Sequence, residues 1–255
     1  MTALWITRTE PGASALAALA AQAGIETIAA PLVGIKPSTH WREVDTGEPQ
    51  AIIVTSRHAV SGYMTSPLFP AQKGTMHIAL GEASAQDLRA AGLNVIVPSA
   101  DDQAAVDADS PETSNNVGSE AVLNLREVER LVRSDEVWLV GGEGGRGTLE
   151  AEFKARGIRV AKLDFYQRFN LQPELDPAAS IKWVEISSLA AMQGLEAYPQ
   201  VAASKLVVPS ARLKSLATER GFDAIMAASP TPAAVVDVVS KSDNSDTESG
   251  RPLKR

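Results

Sequence analysis

The 255-residue chain has no cysteine, three histidines and only 5% aromatic residues. Without thiols, disulfides, thiolate zinc sites, iron–sulfur clusters and thiol nucleophiles are all excluded. His40, His58 and His77 show no ligand spacing, so no metal centre is expected, and each reads as a surface or turn residue. A G-x-S-x-G elbow and a G-x-x-x-x-G-K-[ST] loop are both missing, which removes the hydrolase and P-loop readings. No apolar run approaches the roughly 18 residues of a membrane span. The start, Met1 to Trp5, has no basic segment ahead of an apolar one, so a cytoplasmic protein without membrane contact is expected. Positive charge is also scarce: 24 basic against 31 acidic residues give a net charge of -7, which argues against nucleic acid as a partner.

What is present is ordinary globular composition, 44% hydrophobic and 22% charged, in a length that suits two modest domains. The negative charge is concentrated. Asp101, Asp102, Asp107, Asp109 and Glu112 fall between Ser99 and Ser119 with no Lys or Arg, which reads as a mobile acidic surface loop. Residues 240–255 are polar and charged with almost nothing apolar, which predicts a disordered tail.

Between these segments, β-rich runs alternate with helical patterns: Leu4 to Thr7, Ala51 to Thr55, His77 to Leu80, Val95 to Pro98, Val137 to Val140, Val184 to Ser187, Leu206 to Val208 and Ala224 to Met226. Such alternation predicts an α/β fold with parallel sheets. The intervening helices close on glycine, at Gly24, Gly92, Gly157 and Gly221. Shifting the chain by 133 positions aligns Trp5 with Trp138, Glu10 with Glu143, Gly12 with Gly145, Leu16 with Leu149, Gly24 with Gly157 and Ile25 with Ile158. A looser pair sets Ile53 to Gly92 beside Val184 to Gly221. The order A, B, A', B' predicts two similar domains, in which an A unit completes its sheet with the B unit either after or before it.

The sharpest local string is Gly142-Glu143-Gly144-Gly145-Arg146-Gly147, a G-x-G-x-x-G after a strand and before a helix, with Asp164 ending the next strand. This pattern fits a dinucleotide fingerprint. The aligned turn Thr7-Arg8-Thr9-Glu10-Pro11-Gly12 has a single glycine, so a shared anion-binding turn accounts for both copies better. Similar hydroxyl-rich turns follow other strands: Thr55-Ser56-Arg57, Gly81 to Ser84, Ser187-Ser188, and Pro209-Ser210-Ala211-Arg212. Each places free backbone N–H groups at the carboxyl edge of a sheet, where anions bind, although any single one is also an ordinary helix cap. Six such turns predict a ligand with several carboxylates or phosphates.

At these residues the sequence resembles the uroporphyrinogen-III synthase family. The resemblance rests on Trp5-Ile6-Thr7-Arg8 with Pro11, Pro31 to Ile35, Val54-Thr55-Ser56 with Ala59-Val60, and Gly81 to Leu88. It continues through Gly142 to Arg146 with Leu149, Tyr166-x-Arg168, and Val208-Pro209-Ser210-x-Arg212 ahead of Gly221-Phe222, and covers about residues 4 to 239. Ser84 and Ser210 stand where the family often has threonine, and His58 where it often has asparagine.

The resemblance implies two similar parallel-sheet domains joined by a two-stranded β linker. Residues 1–36 with 171–239 would form a discontinuous first domain and 37–170 the second, with 31–37 and 164–171 as linker strands. It implies closure of the linear tetrapyrrole hydroxymethylbilane, a polycarboxylate, into uroporphyrinogen III with its last ring inverted, by a monomer needing no metal or cofactor. Loss of the substrate's hydroxyl gives an azafulvene, and attack through a spiro intermediate reverses the ring. Substrate-binding residues would be Thr7, Arg8, Thr55, Ser56, Arg57, Gly81, Ser84, Gly142, Gly144, Arg146, Ser187, Ser188, Ser210 and Arg212. Tyr166 is the plausible acid for the departing hydroxyl. A two-lobed polyanion or nucleotide-binding protein using the turn at Gly142 to Gly147 is the competing reading.

Overall fold

Strands four residues long and apolar at every position, such as Ala51-Ile52-Ile53-Val54, have no polar face to give to water, so both faces of their sheet must be covered. The computed structural model describes residues 3–98, 117–145 and 147–249, the side chains of 117, 118 and 243–249 excepted. In chain order the main elements begin β1 Ala3–Ile6, α1 Gly12–Gln22, β2 Thr27–Ala29, β3 Val33–Pro37, β4 Ala51–Val54, α2 Arg57–Thr65, β5 Met76–Ala79, α3 Glu82–Ala90 and β6 Val95–Ile96. They continue with α4 Val117–Leu123, α5 Arg126–Glu129, β7 Glu136–Gly142, α6 Thr148–Ala155, β8 Arg159–Asn170, β9 Ile181–Glu185, α7 Leu189–Gly194, β10 Lys205–Val208, α8 Ala211–Glu219, β11 Ala224–Met226 and α9 Pro232–Ser249.

The chain divides into two compact units, Met1–Gly34 with Phe169–Arg255, and Ile35–Arg168. The first holds a five-stranded sheet in the order β11-β10-β9-β1-β2, with parallel pairing throughout. Alternate residues of β1 face opposite sides. Leu4 and Ile6 pack with Leu16 of α1 and Val235 and Val239 of α9, whereas Trp5 packs with Met192 of α7, Leu213 of α8 and Tyr198. The Trp5 indole donates its Nε1–H to the Ala30 carbonyl at 2.7 Å, so the buried ring leaves no polar group unmet.

The second unit repeats the plan. Its sheet runs β3-β8-β7-β4-β5-β6, and the pairs from β8 through β6 are parallel. Ile52, Val54, Trp138 and Val140 face α2 and α3, and Ala51, Ile53, Val137 and Leu139 face Val122 of α4, Val128 of α5 and Phe153 of α6. The sequence repeat has this structural content: β1 and β7, the two aligned strands, are flanked in the same way, β1 by β9 and β2 and β7 by β4 and β8. All four helix-closing glycines take the left-handed backbone that L side chains avoid, with φ of 73°, 85°, 76° and 83° at Gly24, Gly92, Gly157 and Gly221.

Three features differ from the sequence reading or escape it. Helix α9 continues to Ser249, past the point where composition predicts disorder. With Val235 and Val239 docked, further turns add to an existing helix and avoid the cost of nucleation. Residues 250–255, and 99–116 of the acidic stretch, lie outside the described residues, while 117–119 open α4. Among the described residues no helix is long and apolar enough to cross a membrane.

The third feature is His77, which is 1% exposed in β5, a core residue where a surface or turn position was expected. Its Nδ1 lies 2.9 Å from the Thr75 carbonyl, so that nitrogen carries the proton and Nε2 accepts from the Tyr63 hydroxyl, also at 2.9 Å. Burial pushes the His77 pKa down, against a smaller upward effect of the Thr75 bond. The neutral ring therefore contributes stability that is complete above the ordinary histidine value of 6.5 and is lost as pH falls below it, because the unfolded chain takes up a proton that the folded ring resists. Guanidinium midpoints at pH 7.5 and pH 5 should fall farther for the native chain than for His77→Gln, in which this proton uptake is absent.

Candidate active site

The chemistry of the second unit gathers where β4, β7 and β8 end side by side. Ala51 to Val54 pair with Val137 to Val140, so Thr55 leaves β4 beside the two glycines that finish β7. The Thr55 hydroxyl donates to the Val140 carbonyl at 3.2 Å, and a Cβ on Gly141 would fall on that hydroxyl. The next strand brings Tyr166 opposite Gly142, after an irregularity in the β7–β8 register. A Cβ on Gly142 would clash with the Tyr166 ring. The glycines at 141 and 142 are therefore required by two side chains of the protein itself, and the second of them is the first glycine of the G-x-G-x-x-G pattern. Gly144, at φ 70°, serves the turn.

Tyr166 is 3% exposed. Its phenol donates to the Ser56 Oγ at 3.0 Å and accepts from Arg168 Nη2 at 2.7 Å. The two residues share one side of β8 because side chains two apart on a strand point the same way, and the Arg168 guanidinium carbon sits 5.1 Å from the phenol ring centre. Ser56 is the N-cap of α2, accepting from the His58 backbone N–H at 3.3 Å. The His58 ring meets Tyr166 edge-on at 5.5 Å. Burial, then the charges of Arg168 and Arg57, push the His58 pKa down, so the ring is neutral near pH 7.

Other expected site residues of this unit surround the phenol less directly. Arg57 is held by Asp87 of α3 in two bonds of 2.6 and 3.0 Å, which raises its pKa. Gly81 caps α3 with open space at its Cα, and Ser84 is buried one turn later. Arg146 lies outside the described residues. Glu143, which the sequence reading left without a role, ties the turn down: it accepts from the Ser38 hydroxyl at 2.6 Å and lies 3.1 Å from His40 Nδ1, and its backbone N–H donates to the Tyr166 carbonyl at 2.9 Å. Among the described residues no group of three or more His, Asp or Glu side chains could hold a metal ion.

The corresponding edge of the first unit is chemically different. Thr7 is fully buried and donates to the Glu185 carbonyl at 2.6 Å, which departs from the ligand-facing role expected of it. Arg8 clasps the Glu185 carboxylate through Nε at 3.0 Å and Nη2 at 2.7 Å, and its Nη1 reaches the Pro230 carbonyl at 3.2 Å. Glu185, 1% exposed, was missed from sequence, although an acid inside the apolar run Trp183-Val184-Glu185-Ile186 is itself a signal that a cation must lie opposite. Ser188 and Ser210 cap α7 and α8 through Ala191 N and Leu213 N, at 3.2 and 3.4 Å. Ser187 is half-buried beside them, and Arg212 is exposed.

Paired parallel sheets with serine-capped turns at their carboxyl edges, one of these turns packed against a tyrosine, define a two-unit α/β protein. A family model described as uroporphyrinogen-III synthase HemD matches residues 14–237, and the chain belongs to that family. Its fold is similar to that of the uroporphyrinogen-III synthetase of Helicobacter pylori 26695, with a TM-score of 0.60 at 14% identity over 94% of this chain and 99% of that one. It is similar as well to a mutant uroporphyrinogen III synthase from the extremely thermophilic bacterium Thermus thermophilus, with a TM-score of 0.57 at 13% identity over 96% and 100% of the two chains.

If Gly142 exists to admit Tyr166, Gly142→Ala should lower the unfolding free energy by about 1–3 kcal/mol through overpacking. Gly145→Ala, where the nearest atom is an ordinary contact at 3.5 Å, should stay within about 0.5 kcal/mol of native. Urea titrations of the two variants check the pair.

Proposed function

We propose that the chain closes hydroxymethylbilane into uroporphyrinogen III, acting as a cofactor-independent lyase, and that Tyr166 supplies the proton on which the reaction starts. The observation that carries this reading is the placement of the Tyr166 hydroxyl between Arg168 at 2.7 Å and Ser56 at 3.0 Å. A phenol is a weak acid, and a guanidinium on its oxygen favours the anion left behind when the proton moves. As the substrate's carbon–oxygen bond breaks, the departing hydroxyl takes a proton and leaves as water, and the pyrrole nitrogen's electrons complete the azafulvene. Attack by the ring carbon, migration through the spiro intermediate and loss of the ring proton return a proton to the phenolate, so the enzyme is restored.

The competing closure needs no catalyst, so the enzyme must also hold the chain in the fold that lets the inverted ring react. Arg168 and Thr55 in the second unit, and Ser187, Ser188, Ser210 and Arg212 in the first, are the groups we assign to the substrate's carboxylates. Arg8 and Thr7 support their turn from behind, since Glu185 already engages both. Among the described residues, the groups that meet the phenol come from residues 35–168, which supports a catalyst that works as a monomer. Strand β3 lies beside β8 where the two compact units change over, which supports a two-stranded linker at 31–37 and 164–171. No observation favours the binding-protein reading: Gly142, the first glycine of the string, is accounted for by Tyr166, and Gly144 by the left-handed backbone of its turn.

Purified protein given hydroxymethylbilane without added metal or nucleotide should form the type III isomer. Chromatography showing only type I would overturn the assignment. Tyr166→Phe should keep the fold by circular dichroism and lower kcat by roughly 100-fold. An unchanged kcat would remove the acid role and leave the synthase assignment standing.

A further inference from the structure

The Tyr166 phenol is buried, and its surroundings dictate where its proton points. Arg168 carries donors only, so it can occupy a lone pair of the phenol oxygen but cannot take the phenol's hydrogen. That hydrogen goes to the Ser56 Oγ, 3.0 Å away. Ser56 in turn accepts twice, from Tyr166 and from the His58 backbone N–H. A hydroxyl oxygen has two lone pairs and one hydrogen. With both lone pairs engaged, the Ser56 hydrogen is left as the outward end of the chain, and among the described residues it meets no acceptor. Ser56 is half-buried where Tyr166 is 3% exposed. We infer that Ser56 delivers the proton to the substrate's departing hydroxyl and that Tyr166 refills it from behind.

This inference rests on the acid role proposed above and changes which group touches the substrate. The bonds balance as a relay. The Ser56 O–H breaks as the departing oxygen gains its proton, the Tyr166 O–H breaks as Ser56 regains one, and Arg168 holds the phenolate. After the ring has closed, the proton lost from the ring carbon runs the same path inward. Ser56 is then the catalytic residue, and Tyr166 and Arg168 act through it.

Steady-state kinetics of Ser56→Gly, Ser56→Thr, Tyr166→Phe and the double variant Ser56→Gly/Tyr166→Phe test the relay. Glycine is chosen because it caps a helix nearly as well as serine, and melting temperatures verify that α2 is kept. The relay predicts that Ser56→Gly and Tyr166→Phe each lower kcat by roughly 100-fold with KM little changed, and that the double variant is no slower than either. Ser56→Thr, which restores a hydroxyl on the same cap, should recover kcat to within about threefold of native. It also keeps the test intact should the glycine variant not fold, because a threonine variant as slow as Tyr166→Phe would overturn the relay. A native kcat in Ser56→Gly beside a slow Tyr166→Phe overturns the relay and leaves Tyr166 as the direct donor. A raised KM at native kcat, or losses that multiply in the double variant, overturns it too. Native rates in both single variants defeat the acid reading itself, and the relay with it.

Discussion

Parallel pairing governs what the rest of the molecule can do. A strand that must lie parallel to its neighbour can be reached only by a crossover, and the crossover helix starts at the carboxyl edge of the strand before it. Both sheets have their two faces covered by helices and apolar side chains, so polar chemistry has little room except at that edge. The exceptions confirm the pressure. Glu136, at the start of β7, is 5% exposed and accepts from the Trp138 indole at 2.8 Å and the Gly47 N–H at 2.8 Å, and Glu185 at the end of β9 is clasped by Arg8. A buried carboxylate left without such partners would cost several kcal/mol.

The two units share a plan and differ at the turns that follow β1 and β7. At the 133-residue shift Arg8 falls on Gly141, Thr9 on Gly142 and Val33 on Tyr166. In the first unit the turn carries a long cation that folds back onto its own sheet. In the second, the same two positions are stripped to glycine, and the space so opened is filled by Thr55 and Tyr166. One copy of the unit thus gives up backbone restraint at two residues to admit a phenol, and the other keeps an internal ion pair. Glycine at 142 is destabilising by itself in a strand, and the packing of a buried aromatic ring on it offsets that loss.

Much of this was legible in the sequence because its causes are local. Glycine after each helix follows from the left-handed residue that ends it, and apolar runs of four follow from a sheet covered on both faces. The internal repeat and the turn at Ser56 could be read in the same way. The less legible parts depend on partners far apart in the chain. Arg8 reads as an exposed anion-binding group until Glu185, 177 positions away, is known to face it. His77 reads as a turn residue until Tyr63 is brought across from α2. Gly142 fits the first position of a cofactor fingerprint because close backbone approach requires glycine whatever makes the approach, a pyrophosphate or a tyrosine ring. Helix α9 exceeds its expected end because composition describes its polar turns without the docked turn that precedes them.

The electrostatics around the phenol form one further step. His58 lies edge-on to Tyr166 with the guanidiniums of Arg168 and Arg57 near it, and both these charges and its burial oppose protonation. A charged imidazole there would be a further cation crowded against the guanidiniums of Arg168 and Arg57. Arg57 is engaged by Asp87, so it stands as a paired charge. Arg168, on the same side of β8 as the phenol, remains in contact with its oxygen. The neutrality of His58 near pH 7 and the pairing of Arg57 therefore have a common effect: they leave the guanidinium of Arg168 as the charge in contact with the Tyr166 oxygen.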